Sequence, residues 1–312
     1  MTHDILINAK GHKGTYDRLV REFSAVSLFE AKDRAAALKE AAPRVRGLAS
    51  TGHARVDAAL MDALPKLEII ANFGVGVDQI DLDAAKQRGI IVTNTAGALN
   101  ECVADCAMAL VLNTLRKIPQ SGVYLRAGLW QSQGAYPLGT SLGGKTLGIL
   151  GLGRIGAEIA KRAQAFGMKI RYHNRRQKDV SFAYDPDAVT LAENSDVLMV
   201  ITPGGADTEK LVNAQVLDAL GPQGYLINVA RGSVIDEPVV LRYLQEKRIA
   251  GAGLDVFEHE PKVPPEFFAL DNVVLTPHVA SATHETRTAM GNLQIENLHL
   301  HFAGKPVKTP VV

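Results

Sequence analysis

Cysteine is scarce in this 312-residue chain, which has only Cys102 and Cys106, and tryptophan occurs once, at Trp130. Two cysteines cannot build a disulfide scaffold. Standing four apart in an apolar stripe on a predicted helix, they read as packed core thiols. A disulfide or a metal pair is the alternative, but no further ligand cluster stands nearby, and no metal site is expected. A surplus of either charge is also missing. Thirty-four Lys and Arg face thirty-three Asp and Glu, for a formal net charge of +1. Nothing therefore suggests a nucleic-acid or anionic-membrane surface. No apolar run approaches the roughly 18–20 residues of a membrane span, and the opening MTHDILINAK lacks the apolar stretch and cleavage site of a leader peptide. A reducing cytoplasm is the expected compartment. With 46% hydrophobic and 21% charged residues, the composition is that of a globular protein long enough for two domains.

What is present is alternation. Short β-like runs at 4–8, 25–29, 45–49, 68–72 and 90–93 are separated by helical patterns at 16–23, 33–42, 56–64 and 81–88. That order predicts a parallel sheet with helices on both faces. A long apolar-rich helix follows at 99–117, ending before Pro119, and 128–144 reads as an irregular connector. A second series then begins, with strands expected at 145–150, 169–173, 197–201, 224–228, 251–256 and 273–275. The last helical pattern, 281–302, has no strand left to serve in that second series. It either packs there as a terminal helix or crosses back to the first domain. The expected fold class is α/β, with two Rossmann-like doubly wound parallel-sheet domains and an inter-domain cleft.

The second series opens with TLGILGLGRIG, in which Gly151, Gly153 and Gly156 form Gly-x-Gly-x-x-Gly between an apolar strand and an amphipathic helix. The glycines permit a tight turn, close approach of backbone to a pyrophosphate, and close helix–strand packing. The helix opening at Arg154 and Ile155 offers unpaired N–H groups and the positive end of its dipole. A purely structural glycine turn is the alternative, but strand and helix both stand where a dinucleotide site needs them. Eighteen positions past Gly156 comes Asn174-Arg175-Arg176, where an acid that binds the ribose hydroxyls would ordinarily stand. Two arginines there are either solvated surface charges or partners for the 2′-phosphate of NADPH, and the lost acid favours NADPH/NADP over NADH/NAD.

Three later strand ends carry reactive side chains, and strand ends are where open α/β sheets bind ligands. Arg231 follows Asn228-Val229-Ala230, three carboxylates and a histidine (Asp255, Glu258, His259 and Glu260) follow the next apolar strand, and His278 stands just past the last strand. Each alone reads as an ordinary surface or core residue. Together they form a set able to reduce a 2-keto acid. An arginine can grip a carboxylate in two-pronged fashion. A histidine can donate a proton to the carbonyl oxygen, and a carboxylate beside it favours its protonated form.

The segments NFGVGVDQIDL (72–82), GKTLGILGLGRIG (144–156), NVARGSVIDE (228–237), GAGLDVFEHEP (251–261) and LTPHVASAT (275–283) follow one another at spacings that resemble the D-2-hydroxyacid dehydrogenase family. The likeness is strongest to its NADPH-preferring glyoxylate/hydroxypyruvate and hydroxyphenylpyruvate reductases. It implies a substrate domain made of residues 1–98 plus 284–312 and an NAD(P)-binding Rossmann domain of 99–283, which is the reason to expect the terminal helix to cross back. Arg231, Glu260 and His278 become the expected catalytic residues. Val75 and Gly76 are expected to offer backbone N–H groups to the substrate carboxylate, and Asp255 to hold the nicotinamide carboxamide. Thr202, Pro203, Val229, Ala230 and Ala280 complete the expected cofactor contacts, with Arg231 and His278. The resemblance implies a homodimer through the cofactor domain, with 99–117 and 121–140 at the interface. Trp130 is expected either to reach the partner's active site or to be an ordinary tryptophan. Expected partners are a small 2-keto or 2-hydroxy acid and a second copy of the chain. A reductase of glyoxylate or hydroxypyruvate is the leading expectation. A hydroxyphenylpyruvate reductase with a pocket from Leu99, Trp130 and Tyr136 is the alternative, and a non-catalytic NAD(P)-sensing corepressor-like module is the rival of another class.

Overall fold

The computed structural model describes residues 4–52 and 54–312; residues 1–3, part of the opening MTHDILINAK, and residue 53 lie outside the described residues. The chain divides into two compact units, Met1–Leu99 with Thr283–Val312, and Asn100–Ala282.

In the smaller unit β1 (Asp4–Ile7), β2 (Ser24–Ser27), β3 (Gly47–Thr51), β4 (Ile69–Phe73) and β5 (Ile91–Thr93) pair in parallel in the order β2-β1-β3-β4-β5. Alternate residues face opposite sides of a strand, which sorts the core into two. Leu6, Leu48, Ile70 and Val92 pack against α2 (Arg34–Ala41), α3 (Ala58–Asp62) and α4 (Leu82–Gln87). Ile5, Ile7, Ala49, Ile69 and Ala71 pack against α1 (Lys13–Glu22) and the terminal helix (His284–Phe302). Asp33, Asp57 and Asp81 each cap one of α2, α3 and α4 by accepting a backbone N–H, a device that fixes where those helices begin. The terminal helix starts behind Thr283, whose hydroxyl caps it, so it begins three residues later than the pattern predicts. Its buried Gln294 donates to the carbonyls of Ser50 and Ala71, binding it to β3 and β4. Gly291 lies so close to Thr15 of α1 that no side chain fits between them. Beyond the helix the chain returns to the sheet edge, where Val311 N donates to Val92 O and Val92 N to Val312 O.

In the larger unit β6 (Thr146–Leu150), β7 (Lys169–His173), β8 (Ala183–Tyr184), β9 (Val197–Val200), β10 (Tyr225–Asn228), β11 (Gly251–Leu254) and β12 (Val273–Leu275) form a parallel sheet in the order β12-β11-β10-β9-β6-β7-β8. One face is covered by α5 (Asn100–Arg116) and α8 (Arg154–Ala165), and the other by α9 (Ala188–Glu193), α10 (Ala214–Leu220) and α11 (Glu237–Gln245). The fold class is therefore two parallel-sheet α/β units, as the alternation predicts. Two features depart from the sequence reading. The two-residue strand β8 is too short to leave a pattern. A further helix, α6 (Ile118–Arg126), follows α5, and the stretch 128–144, expected to be irregular, holds α7 (Leu129–Gln133). Pro119 does not stop a helix here. Lys117, at φ 52°, breaks the chain direction, and proline then sits in the first turn of α6, where it has no N–H to lose.

The order of β6 and β9 matters most. The chain leaves β6 toward β7 and β8, then returns to lay β9 on the other side, so the sheet reverses direction at β6 and β9. The crevice beyond the carboxyl ends of such a pair is where open α/β sheets bind ligands.

The terminal helix and α1 are joined by a titratable link, since Glu22 accepts from Arg18 and meets His299 at 2.9 Å. The Arg18 guanidinium first, and His299 after it, hold the Glu22 carboxyl at about 2 instead of 4.5. A depressed folded-state pKa contributes stability above the unfolded value and loses it as pH falls toward the folded one. Acid unfolding between about pH 4.5 and about pH 2 is thus expected to be shallower in Glu22→Gln than in the parent, measured by circular dichroism.

Candidate active site

At the crevice the glycines do three different jobs. Gly151 has φ 108°, and a Cβ there would lie 2.8 Å from Ile201 O and Thr202 N, so the turn after β6 presses directly on the chain leaving β9. Gly156 faces the Gly151 carbonyl, with 2.5 Å to a built Cβ, which brings α8 tight against the turn. Gly153 is the N-cap of α8, offers no side-chain cap, and has open space where a Cβ would stand. That open approach leads to the first N–H groups of α8, including those of Arg154 and Ile155, which have no intrahelical partner. A pyrophosphate fits this cradle on charge and on space.

Asn174 turns inward. Its Oδ1 accepts from Leu152 N at 2.7 Å and its Nδ2 reaches Leu152 O at 3.4 Å, so it pins the glycine turn from the β7 side. Arg175 and Arg176 are exposed on the following loop. The fully buried Tyr172 holds that loop, its hydroxyl donating to Lys178 O and accepting from Lys178 N. Arg175 lies 3.4 Å from Asp207, both side chains being largely in solvent. Thr202 and Pro203 follow β9, half-buried and exposed respectively.

The reactive set lies at the ends of β10, β11 and β12. Buried Asn228 shapes the first turn, accepting from Ala230 N and donating to Arg231 O, with Val229 and Ala230 buried beneath. Arg231 is half-buried there and donates to Ala230 O at 2.6 Å. Gly232 admits no side chain, because a Cβ would run into the Phe257–Glu258 peptide. In that second turn Phe257 N donates to Glu260 Oε1 at 3.0 Å, and Glu260 Oε2 meets His278 Nδ1 at 2.7 Å. A carboxylate on Nδ1 leaves Nε2 as the nitrogen that can carry a proton outward.

His278 stands at φ 52°, a left-handed conformation costly for a residue with a side chain. Asp255 holds it there. This fully buried carboxylate accepts from Thr276 Oγ1 at 2.6 Å, Val279 N at 2.8 Å and Ala280 N at 2.9 Å, while His278 N donates to Asp255 O. Both oxygens of Asp255 thus serve the turn that carries His278. Ala280 is buried and accepts from Cys102 Sγ. Neither cysteine forms a disulfide among the described residues, both are half-buried, and burial pushes the Cys106 thiol up to about 11.

In the smaller unit two asparagines shape the turn after β4. Asn72 donates to the carbonyls of Gly74 and Gly76, and Asn94 donates to that of Val75. With the carbonyls drawn back, the N–H groups of Val75 and Gly76 find no acceptor among the described residues. Trp130, in α7, is 65% exposed, whereas Leu99 is buried and Tyr136 packs edge-on against Tyr124. Asn72, Asn94 and Asn228 escape a search for charged groups. Their signal is an asparagine at or just past a strand end, ahead of a glycine turn, where its amide can satisfy the turn's backbone.

Comparison with known proteins agrees with this architecture. The family model for the D-isomer specific 2-hydroxyacid dehydrogenase NAD-binding domain matches residues 108–280. The chain is 46% identical over 297 residues to glyoxylate/hydroxypyruvate reductase A of Arabidopsis thaliana, covering 95% of each. It is 48% identical over 272 residues to hydroxyphenylpyruvate reductase of Plectranthus scutellarioides, covering 87% of each. The structure of an NADPH-dependent glyoxylate/hydroxypyruvate reductase from Sinorhizobium meliloti, in complex with NADP and malonate, superposes with a TM-score of 0.92 at 46% identity, over 100% of this chain and 97% of that one. The chain belongs to the D-isomer specific 2-hydroxyacid dehydrogenases and is an NAD(P)-dependent oxidoreductase of that family. No described helix is long and apolar enough to cross a membrane.

Removing the Asp255 carboxylate leaves two N–H groups and one hydroxyl buried without an acceptor, each costing about 1–3 kcal/mol. Asp255→Ala is expected to lower stability by roughly 3 kcal/mol or more, and to lower turnover further as His278 leaves its strained backbone. Urea unfolding and steady-state kinetics check the two effects separately.

Proposed function

We propose that this protein reduces small 2-keto acids, glyoxylate or hydroxypyruvate, to the D-2-hydroxy acids with NADPH. The observation that carries this reading is the Glu260–His278 pair at 2.7 Å, on a turn packed directly against Gly232, next to Arg231. Bound nicotinamide supplies the hydride. Arg231 grips the substrate carboxylate and polarises the keto group, and His278 delivers a proton from Nε2 to the developing alkoxide oxygen. Glu260 keeps the imidazole oriented through Nδ1. The N–H groups of Val75 and Gly76 make the smaller unit the substrate-binding domain, residues 1–98 plus 284–312. The larger unit, 99–283, is the cofactor domain, with contacts from Gly151, Gly153, Arg154, Ile155, Gly156, Thr202, Pro203, Val229 and Ala230.

Preference for NADPH rests on the 174–176 loop. Asn174 puts no negative charge against a 2′-phosphate, and the exposed Arg175–Asp207 pair is of the kind worth little in water, so Arg175 is free to exchange Asp207 for phosphate. A small substrate is favoured over an arylpyruvate because Leu99 is buried and Tyr136 is packed on Tyr124, which leaves Trp130 as the only one of the three expected pocket residues that is widely exposed. Ile118, Val123, Leu125, Trp130 and Leu138 are half or more exposed along one stretch of the larger unit. Apolar side chains so grouped mark an association surface, and we assign it to a homodimer formed through the cofactor domain. Two free thiols suit the reducing cytoplasm.

Absorbance at 340 nm, followed with NADPH and a panel of 2-keto acids, tests the activity. Glyoxylate and hydroxypyruvate are expected to be turned over, and tight NADPH binding without any turnover would favour a nucleotide sensor instead. A hydrogen bond to a charged group is worth about 1.5–3 kcal/mol, or about 10–100-fold. Arg175→Ala should therefore raise KM for NADPH by roughly that factor and leave NADH nearly unchanged; equal efficiency of the two cofactors in the parent enzyme would sink the preference. His278→Ala should lower kcat by about 100-fold or more with little change in KM, whereas Arg231→Ala should damage both.

A further inference from the structure

We propose that Glu237 is a positioning residue for the acid–base pair: its buried carboxylate holds the backbone N–H of Glu258 and so fixes the turn from which Glu260 reaches His278. This rests on the reading of Glu260 and His278 given above.

Glu237 is the first residue of α11, a place where a carboxylate usually sits in water and faces the positive helix end. This one is 4% exposed and accepts from Glu258 N at 3.0 Å. Burial pushes its carboxyl up from the ordinary range, and the Glu258 N–H partly opposes the shift. The charged groups facing it are Glu258, His259 and Glu260, so two of its three neighbours repel it. A residue kept there for packing alone would do better as leucine or methionine, because one hydrogen bond does not offset the desolvation of a carboxylate.

What the position does provide is a vice. The Phe257–Glu258 peptide is pressed on one side by Gly232, where no Cβ fits, and is held through its following N–H by Glu237. Phe257 N, in the same turn, is the donor to Glu260 Oε1. Loss of the Glu237 bond therefore frees the peptide chain on which the Glu260 carboxylate is hung, at a point where a displacement of about 1 Å can cost about 100-fold in rate. The link from Arg231 and Gly232 through this peptide to Glu260 and His278 runs wholly within the larger unit.

The test compares Glu237→Gln, Glu237→Ala and Glu237→Asp with the parent and with His278→Ala, using kcat, KM and the pH profile of kcat. Gln retains an acceptor oxygen at the same reach and should keep kcat within about threefold. Ala should lower kcat by about 10–100-fold with KM for the keto acid changed less than about threefold. Its alkaline limb should move to lower pH by about half a unit, because a loosened carboxylate favours the imidazolium less. A residue acting through stability alone would leave that limb in place. Should Glu237→Ala not fold, Glu237→Asp, which withdraws the acceptor by one methylene, must show the same lowered kcat and displaced limb. Parent-like kcat and profile in Ala or Asp, or a Gln variant as impaired as Ala, would overturn the proposal. Near-normal turnover in His278→Ala would instead remove the acid–base pair itself, a failure the Glu237 variants cannot produce.

Discussion

Asp255 accepts Thr276 Oγ1, Val279 N and Ala280 N, and those bonds hold His278 at a φ of 52° that the residue would not adopt on its own. Much of the larger unit's chemistry depends on this. An imidazole on an extended backbone past β12 would project along the strand direction; the left-handed step turns it toward Glu260, on the neighbouring strand's loop. The strain is affordable because the carboxylate is out of water, where its bonds to backbone N–H groups are strong and no solvent competes for them. A parallel sheet makes the arrangement possible, since the loops leaving β10, β11 and β12 emerge side by side at one edge, and residues far apart in sequence meet there.

The smaller unit solves a comparable problem with less covalent continuity. Its sheet is covered on one face by a helix from the far end of the chain, and Gln294 satisfies two strand carbonyls that β-pairing leaves available. β4, one of those two strands, runs into the 74–76 turn through Asn72, whose amide donates to Gly74 O and Gly76 O. Packing of the terminal helix and shaping of that turn thus both draw on β4.

Much of this was readable in advance. The glycine loop declares itself because each glycine meets a different steric demand, and the alternation of apolar runs with amphipathic helices leaves few other folds. Arg231, Glu260 and His278 were visible because reactive side chains at strand ends are conspicuous. What stayed hidden has physical reasons. Strand β8, with two residues, has no period to detect. Helix α6 hid behind Pro119, because proline at a helix start and proline after a helix end look alike without knowledge of the Lys117 backbone, and the five-residue α7 is too short to show a period. Asp255 was legible as an important acid but not as a brace, since two of its three donors, Val279 N and Ala280 N, are backbone groups that carry no sequence signature. Nothing in the sequence sets Glu237 apart from other acidic residues of a first helical turn, and only its burial distinguishes it.

The choice between amide and carboxylate for these braces follows the charge each turn has to accommodate. Asn72, Asn174 and Asn228 shape the turns proposed to receive a carboxylate or a phosphate, each by an amide that satisfies backbone groups. An aspartate in their place could accept the same N–H groups, but it could not donate to Gly74 O, Gly76 O or Arg231 O, and its charge would repel the incoming anion across a short, poorly screened distance. Asp255 and Glu237 brace the turns that carry His278 and Glu260. What those turns offer is N–H and hydroxyl donors, and a carboxylate, which only accepts, suits them. A carboxylate is costly to bury, and that cost is tolerable only where every acceptor position in use meets a fixed donor. Amide braces therefore stand where a turn's carbonyls need a donor, and carboxylate braces where its N–H groups have to be gathered.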